Sequence, residues 1–218
     1  MPFHVDGPAV LAMGAFAAVH SLAASLAIKN LVAAWFGERA RAIWYRPVFL
    51  LQSLVCTALL VHVITGRPSL SVWSIDPPWA WCMRAGQGIC LLLMIDCARR
   101  VGIAAMLGVP GLVAWWKGQA LCPREPEAQG PKVEGSGVVA GGLFRWSRHP
   151  LNFLAIPLLW LQPVMTEAMM SACALATVYL VVGSWHEELR LLRLYGAPYR
   201  RYRESGVAFL VPWRSRKS

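Results

Sequence analysis

Four stretches of this 218-residue chain are apolar over lengths that match a bilayer: Pro8–Ile28, Pro47–Thr65, Trp79–Ala98 and Leu151–Trp185. The hydrocarbon core of a membrane is about 30 Å thick and takes roughly 20 apolar residues to cross as a helix. No water reaches that depth, so the backbone has to satisfy itself, as a helix does. The last stretch is long enough for two crossings, with Pro163 and Glu167 marking the turn between them. The expectation is an all-α integral membrane bundle of about five transmembrane helices. A soluble domain rarely combines 57% hydrophobic with only 15% charged residues, and this chain does.

The formal net charge of +10 raises nucleic acid as a partner. The distribution of the charges argues against it. Four Lys/Arg fall between Lys29 and Arg46, seven between Arg99 and Arg148, and eight after Trp185. Two fall between Gly66 and Arg84, and none precede the first span or occupy the turn at Gln162–Met170. Alternate loops are basic, as the positive-inside bias requires with the N-terminus outside and the C-terminus cytoplasmic. A bacterial inner membrane with anionic lipids as partners accounts for the excess, and nucleic acid is excluded. The start, MPFHVDGPAV, has no positive region ahead of its apolar run and reads as a retained first span. Six cysteines without a CxxC pair sit mostly in apolar sequence and read as small buried hydrophobes.

The chain divides into three parts: transmembrane helices and an interfacial segment at 1–116, a polar linker at 117–140 and a C-terminal core at 141–218. His20 and Ser21 interrupt the first apolar run, where His20 either bonds a neighbouring helix or lines a substrate cavity. Lys29–Arg46 reads as a loop whose Trp35, Trp44 and Tyr45 sit at headgroup level. Asp96 beside Arg99 and Arg100 reads as a boundary ion pair. Val101–Trp116 is too broken by Gly and Pro for a span and reads as interfacial or re-entrant. The linker, KGQALCPREPEAQGPKVEGSG and its flank, reads as a cytoplasmic loop, either a lid or a connection.

Chemistry-bearing residues gather at two edges of the last apolar stretch. At GGLFRWSRHPLN, Pro150 suits the first turn of a helix, putting Arg148 and His149 at its mouth. Arg145 and Arg148 add forked donors matched to a carboxylate or phosphate, and Gly141–Gly142 allow close approach of a ligand. At SWHEELRLLRLYGAPYRRYRE, Glu187 and Glu188 lie near a helix C-terminus, where carboxylates oppose the dipole and need an offsetting cation. Tyr199 and Tyr202 fall on one face of a C-terminal amphipathic cytoplasmic helix. One edge prefers a carboxylate; the other prefers an ammonium, a sulfonium or ribose hydroxyls, with aromatic rings for stacking. S-adenosyl-L-methionine meets each of these demands.

Through GLFRWSRHP, WHEE, LRLYGAPYRRYRE and AFLVP, the segment from about Gly141 to Pro212 resembles the isoprenylcysteine carboxyl methyltransferase and phospholipid methyltransferase superfamily of integral-membrane enzymes. HSLAASLAIKN and LWLQPVMT look most like its bacterial methanethiol S-methyltransferase group. The resemblance implies a cofactor pocket of Arg148, His149, Pro150, Glu187, Glu188, Tyr199 and Tyr202, with His186 beside the acidic pair. Asn152 departs from the aromatic residue that many relatives carry after RHP and, with His20, is a candidate on the acceptor side. Methyl transfer from a sulfonium needs no protein nucleophile; it needs alignment, exclusion of water and an ionised acceptor. Arg145 and His149 are the candidate catalytic residues. The acceptor would be a small thiol or a lipid-soluble molecule. A sterol-reductase-like NADPH enzyme is the alternative, although a 2′-phosphate would favour more arginines and fewer carboxylates than are found here. A non-catalytic accessory membrane protein is the other. The histidines lack the spacing of a metal site, and GSGVVAGG does not follow the dinucleotide-binding pattern.

Overall fold

In a computed structural model, the chain is described over residues 4–119, 133–134, 137–138 and 140–212. Most of the linker at 117–140 therefore lies outside the described residues. The all-α expectation holds. Among the described residues, four helices are long and apolar enough to cross a membrane: α1 (Gly7–Ala24), α2 (Leu26–Thr65), α3 (Trp79–Val101) and α7 (Glu167–Tyr195). The expected fifth, α6 (Pro150–Trp160), has 11 residues. At 1.5 Å per residue it reaches about 16 Å, roughly half a bilayer core. The chain turns after Trp160 because Val164–Thr166 forms a short strand against Ser71–Ser74.

The chain forms two compact units. The first holds α1, α2, the short helices α4 (Ile103–Met106) and α5 (Val109–Trp116), and the first turns of α7. Asp6 caps α1 by accepting from the Ala9 amide at 2.8 Å. Ser25 ends α1 and caps α2, its hydroxyl accepting from the Ile28 amide. The segment Lys29–Arg46, expected as a loop, is helical: α2 runs 40 residues with a single break at Gly37, where φ is 83°. One left-handed glycine bends a helix without ending it when helix-forming residues continue on both sides. The Val101–Trp116 segment is two short helices separated at Gly108. Gly111 lets α5 close on α2, since a Cβ there would stand 2.7 Å from the Ala42 carbonyl oxygen. The Asp6 carboxylate also pairs with Arg67 at 2.8 Å. The Ala9 amide, with the Arg67 hydrogen bond and charge, holds its pKa below the usual carboxylate value against the opposing effect of burial.

The second unit holds α3, the 3-10 turn Gly142–Arg145, α6, α7 from Ala176 and α8 (Ala197–Glu204). Its first core packs Cys90 and Cys97 of α3 against Phe144 and Leu154, with Met94, Leu151 and Leu158 around them. Its second core is Leu191, Tyr199 and Tyr202. The Gly141–Gly142 pair serves packing here. A Cβ on Gly142 would stand 2.6 Å from Arg100 Nε and 3.0 Å from Asp96 Oδ2, and one on Gly141 would stand 2.7 Å from Arg100 Nη1. The two glycines make room for the Asp96–Arg100 pair, closed at 2.7 Å. That partner is a protein side chain, where the sequence suggested a ligand.

Candidate active site

The site grows from the junction of the 3-10 turn and α6. Pro150 opens α6 as the sequence suggests, and His149 is the N-cap without using its side chain for capping. Ser147 does the local work: its hydroxyl accepts from the His149 amide at 3.2 Å and donates to the Leu210 carbonyl at 2.7 Å. The Arg148 amide donates to the Ala208 carbonyl, and the Ala208 amide to that of Trp146. These bonds strap the tail at 207–210 across the mouth of α6, leaving the His149 imidazole directed by its tertiary neighbours.

Two charged contacts then join α6 to α7. Arg148 Nε stands 2.8 Å from Glu188 Oε1, and Arg148 Nη2 donates to Oε2 at 3.5 Å. The Nε–H is not aligned along the shorter contact, so that contact is Coulombic. Arg148 Nη1 donates to the Val207 carbonyl at 2.6 Å. The guanidinium also lies 5.7 Å from the Phe209 ring centroid. Both side chains are about nine-tenths buried, at 11% and 8% exposure. This pair is the cation that offsets a carboxylate on the C-terminal half of α7. Beside it, His149 Nδ1 is 3.5 Å from Glu187 Oε2, and the imidazole meets Phe209 edge-on at 5.3 Å.

Four buried polar atoms at this centre make no hydrogen bond among the described residues: Arg148 Nε and Glu188 Oε1, which face each other within the ion pair, and His149 Nε2 and Tyr199 Oη. A buried polar group without a partner costs about 1–3 kcal/mol, so such atoms mark places built for something else to bind. Burial pushes the Tyr199 phenol up, the Glu188 carboxylate adds to this, and Arg148 opposes it. Burial likewise raises Tyr202, again against Arg148. Both phenols therefore stay protonated and serve as donors. Tyr202 spends its hydroxyl on the Phe144 carbonyl, which leaves Tyr199 as the available one.

The other expected residues are placed differently. Arg145 is exposed, and its Nε donates to the Ala140 carbonyl at 3.3 Å. His186 is exposed on α7. Asn152 donates from Nδ2 to Ser184 Oγ at 2.8 Å, tying α6 to α7. His20 belongs to the first unit, where it stacks on Phe16 and meets Ser53 Oγ at 3.2 Å. Sequence reasoning passed over a groove of about 430 Å³ lined by Arg148, Glu188, Trp185, Arg203 and Phe209, with Val181, Val182 and Leu189. Phe209 stood inside the quoted AFLVP motif, but nothing in that short apolar run singled it out.

Comparison with known proteins points one way. The chain is similar to the methanethiol S-methyltransferase of Mycobacterium tuberculosis, 26% identical over 209 residues that cover 92% of this chain and 75% of that one. It is similar to methanethiol S-methyltransferase 2 of Bradyrhizobium diazoefficiens, 24% identical over 93% of this chain and 71% of the other. A shorter match, to methanethiol S-methyltransferase 1 of the same organism, is 39% identical over 72 residues. That match spans 33% of this chain and a quarter, 25%, of the relative's length. No family model and no solved structure matches the chain.

Proposed function

We propose that this chain is an integral-membrane methyltransferase that uses S-adenosyl-L-methionine to methylate a small thiol, with methanethiol as the type substrate. The observation that carries the reading is the buried centre between α6 and α7. There an Arg148–Glu188 pair, an imidazole with an unpartnered Nε2 and a phenol with an unpartnered Oη lie around one tail segment. Relatives bearing the methanethiol S-methyltransferase name over nine-tenths of the chain support it. The residues fit the cofactor: carboxylates for an ammonium or ribose hydroxyls, Tyr199 as a donor, Phe209 and Trp185 for stacking, and a groove within the usual size range of small-molecule sites.

When bound, S-adenosyl-L-methionine supplies a methyl group on a cationic sulfur, open to in-line displacement. The chain's own residues prepare the acceptor. Glu187 Oε2, 3.5 Å from His149 Nδ1, favours the tautomer with its proton on Nδ1, whose Nε2 carries a lone pair. That Nε2 takes the proton of the incoming thiol, leaving the thiolate, the reactive form. Phe209 and the buried flank of α6 keep water from the pair. The proposed orientation has the N-terminus outside and this site on the cytoplasmic side of a bacterial inner membrane.

The test is transfer of an isotope-labelled methyl group from S-adenosyl-L-methionine to methanethiol by detergent-purified protein. Labelled dimethyl sulfide is the expected product, with Glu187→Gln slowing its formation. Label appearing only in extracted lipid, or none at all, contradicts the reading.

A further inference from the structure

The groove beside the ion pair has a charge imbalance. Its lining includes two guanidiniums, Arg148 and Arg203, and one carboxylate, Glu188. Arg148 already has a partner: Nε and Nη2 face Glu188, and Nη1 donates to the Val207 carbonyl. Its charge is offset by that carboxylate. Arg203 makes no hydrogen bond or ion pair with any described residue, and it is exposed at the groove edge. One uncompensated cation therefore stands at a groove whose remaining walls are Val181, Val182, Leu189, Trp185 and Phe209.

The direction of Arg203 is set by its helix. Tyr199 and Tyr202 bury their rings in the core, 5.8 Å apart, and fix the rotation of α8. Gly196, at φ 59°, re-aims the chain between α7 and α8. Of the basic residues on α8, only Arg203 lines the groove; Arg200 does not.

We infer that Arg203, and not Arg148, receives the carboxylate of the cofactor's amino-acid end, while Arg148 acts as a positioning residue that holds Glu188. The inference rests on the methyltransferase reading and names a residue that the sequence pattern did not single out. A planar guanidinium with five donors matches a carboxylate with two parallel hydrogen bonds, which a lysine cannot reproduce.

The test uses two ligands that differ only in that end of the molecule. S-adenosylhomocysteine carries the carboxylate and the ammonium; methylthioadenosine keeps the nucleoside and the thioether and lacks both. Both are titrated calorimetrically into the full-length protein in detergent, as wild type, Arg203→Gln, Arg203→Lys and Arg200→Gln. Loss of a charge-assisted contact predicts that Arg203→Gln weakens S-adenosylhomocysteine about tenfold to a hundredfold and leaves methylthioadenosine unchanged. Arg203→Lys keeps part of the affinity, and Arg200→Gln keeps all of it. An equal loss for both ligands makes Arg203 merely structural and overturns the inference, as does unchanged binding of S-adenosylhomocysteine. If wild-type protein binds neither ligand, the methyltransferase reading itself fails and takes the inference with it.

Discussion

At the residue scale, the Arg148–Glu188 pair decides most of what this site can be. Taking both charges out of water is costly, and the return depends on each finding its partner. Glu188→Ala leaves a guanidinium about nine-tenths buried with no carboxylate, facing the Val207 carbonyl and the Phe209 ring. The expected loss is about 3–5 kcal/mol of stability. Replacing both partners, Arg148→Met with Glu188→Leu, removes the charges together and should recover most of that stability while leaving no cofactor binding. Thermal unfolding of the three proteins in one detergent checks this. Equal destabilisation of single and double variants would show that the pair is not coupled. Arg148, His149, Glu187 and Glu188 stood out in sequence because charge beside apolar sequence is conspicuous, and Tyr199 and Tyr202 through their i, i+3 spacing on one helix face. Arg203 was not. It sits among Arg200 and Arg201, and only the rotation of α8 distinguishes them.

At the element scale, glycine and serine positions set how segments meet. Gly142 has φ 57° and lies against the Asp96–Arg100 pair of α3. Gly142→Ala imposes both a left-handed backbone on a side chain and a clash with Arg100 Cζ at 2.9 Å, at a cost of about 1–3 kcal/mol. Gly183 in α7 has nothing within 4 Å of its hypothetical Cβ, so Gly183→Ala should be neutral or slightly stabilising. A lowered unfolding midpoint for the first alone is the prediction; the reverse order would contradict the packing described. Sequence located every helix of membrane length and the break at Val101–Trp116. It missed that α2 continues through Lys29–Arg46, because basic and aromatic residues look like an interface loop while each is compatible with helix. It also overestimated α6, since apolar composition continues past Trp160 into a strand whose pairing partner, Ser71–Ser74, lies about 90 residues earlier.

At the scale of the whole molecule, four helices of membrane length among the described residues account for the apolar composition, and the basic residues cluster at 29–46, 99–148 and after Trp185. The centre between α6 and α7 accounts for the charges that this scaffold carries away from its interfacial loops. The central claim is that this centre binds the methyl donor, and equilibrium binding tests it without depending on the acceptor. S-adenosylhomocysteine should bind detergent-purified wild-type protein with micromolar affinity, and Tyr199→Phe, which removes only the unpartnered hydroxyl, should weaken it about fivefold or more at unchanged unfolding temperature. Absence of binding to wild-type protein, or full affinity in both Tyr199→Phe and the Arg148→Met, Glu188→Leu double variant, would contradict it.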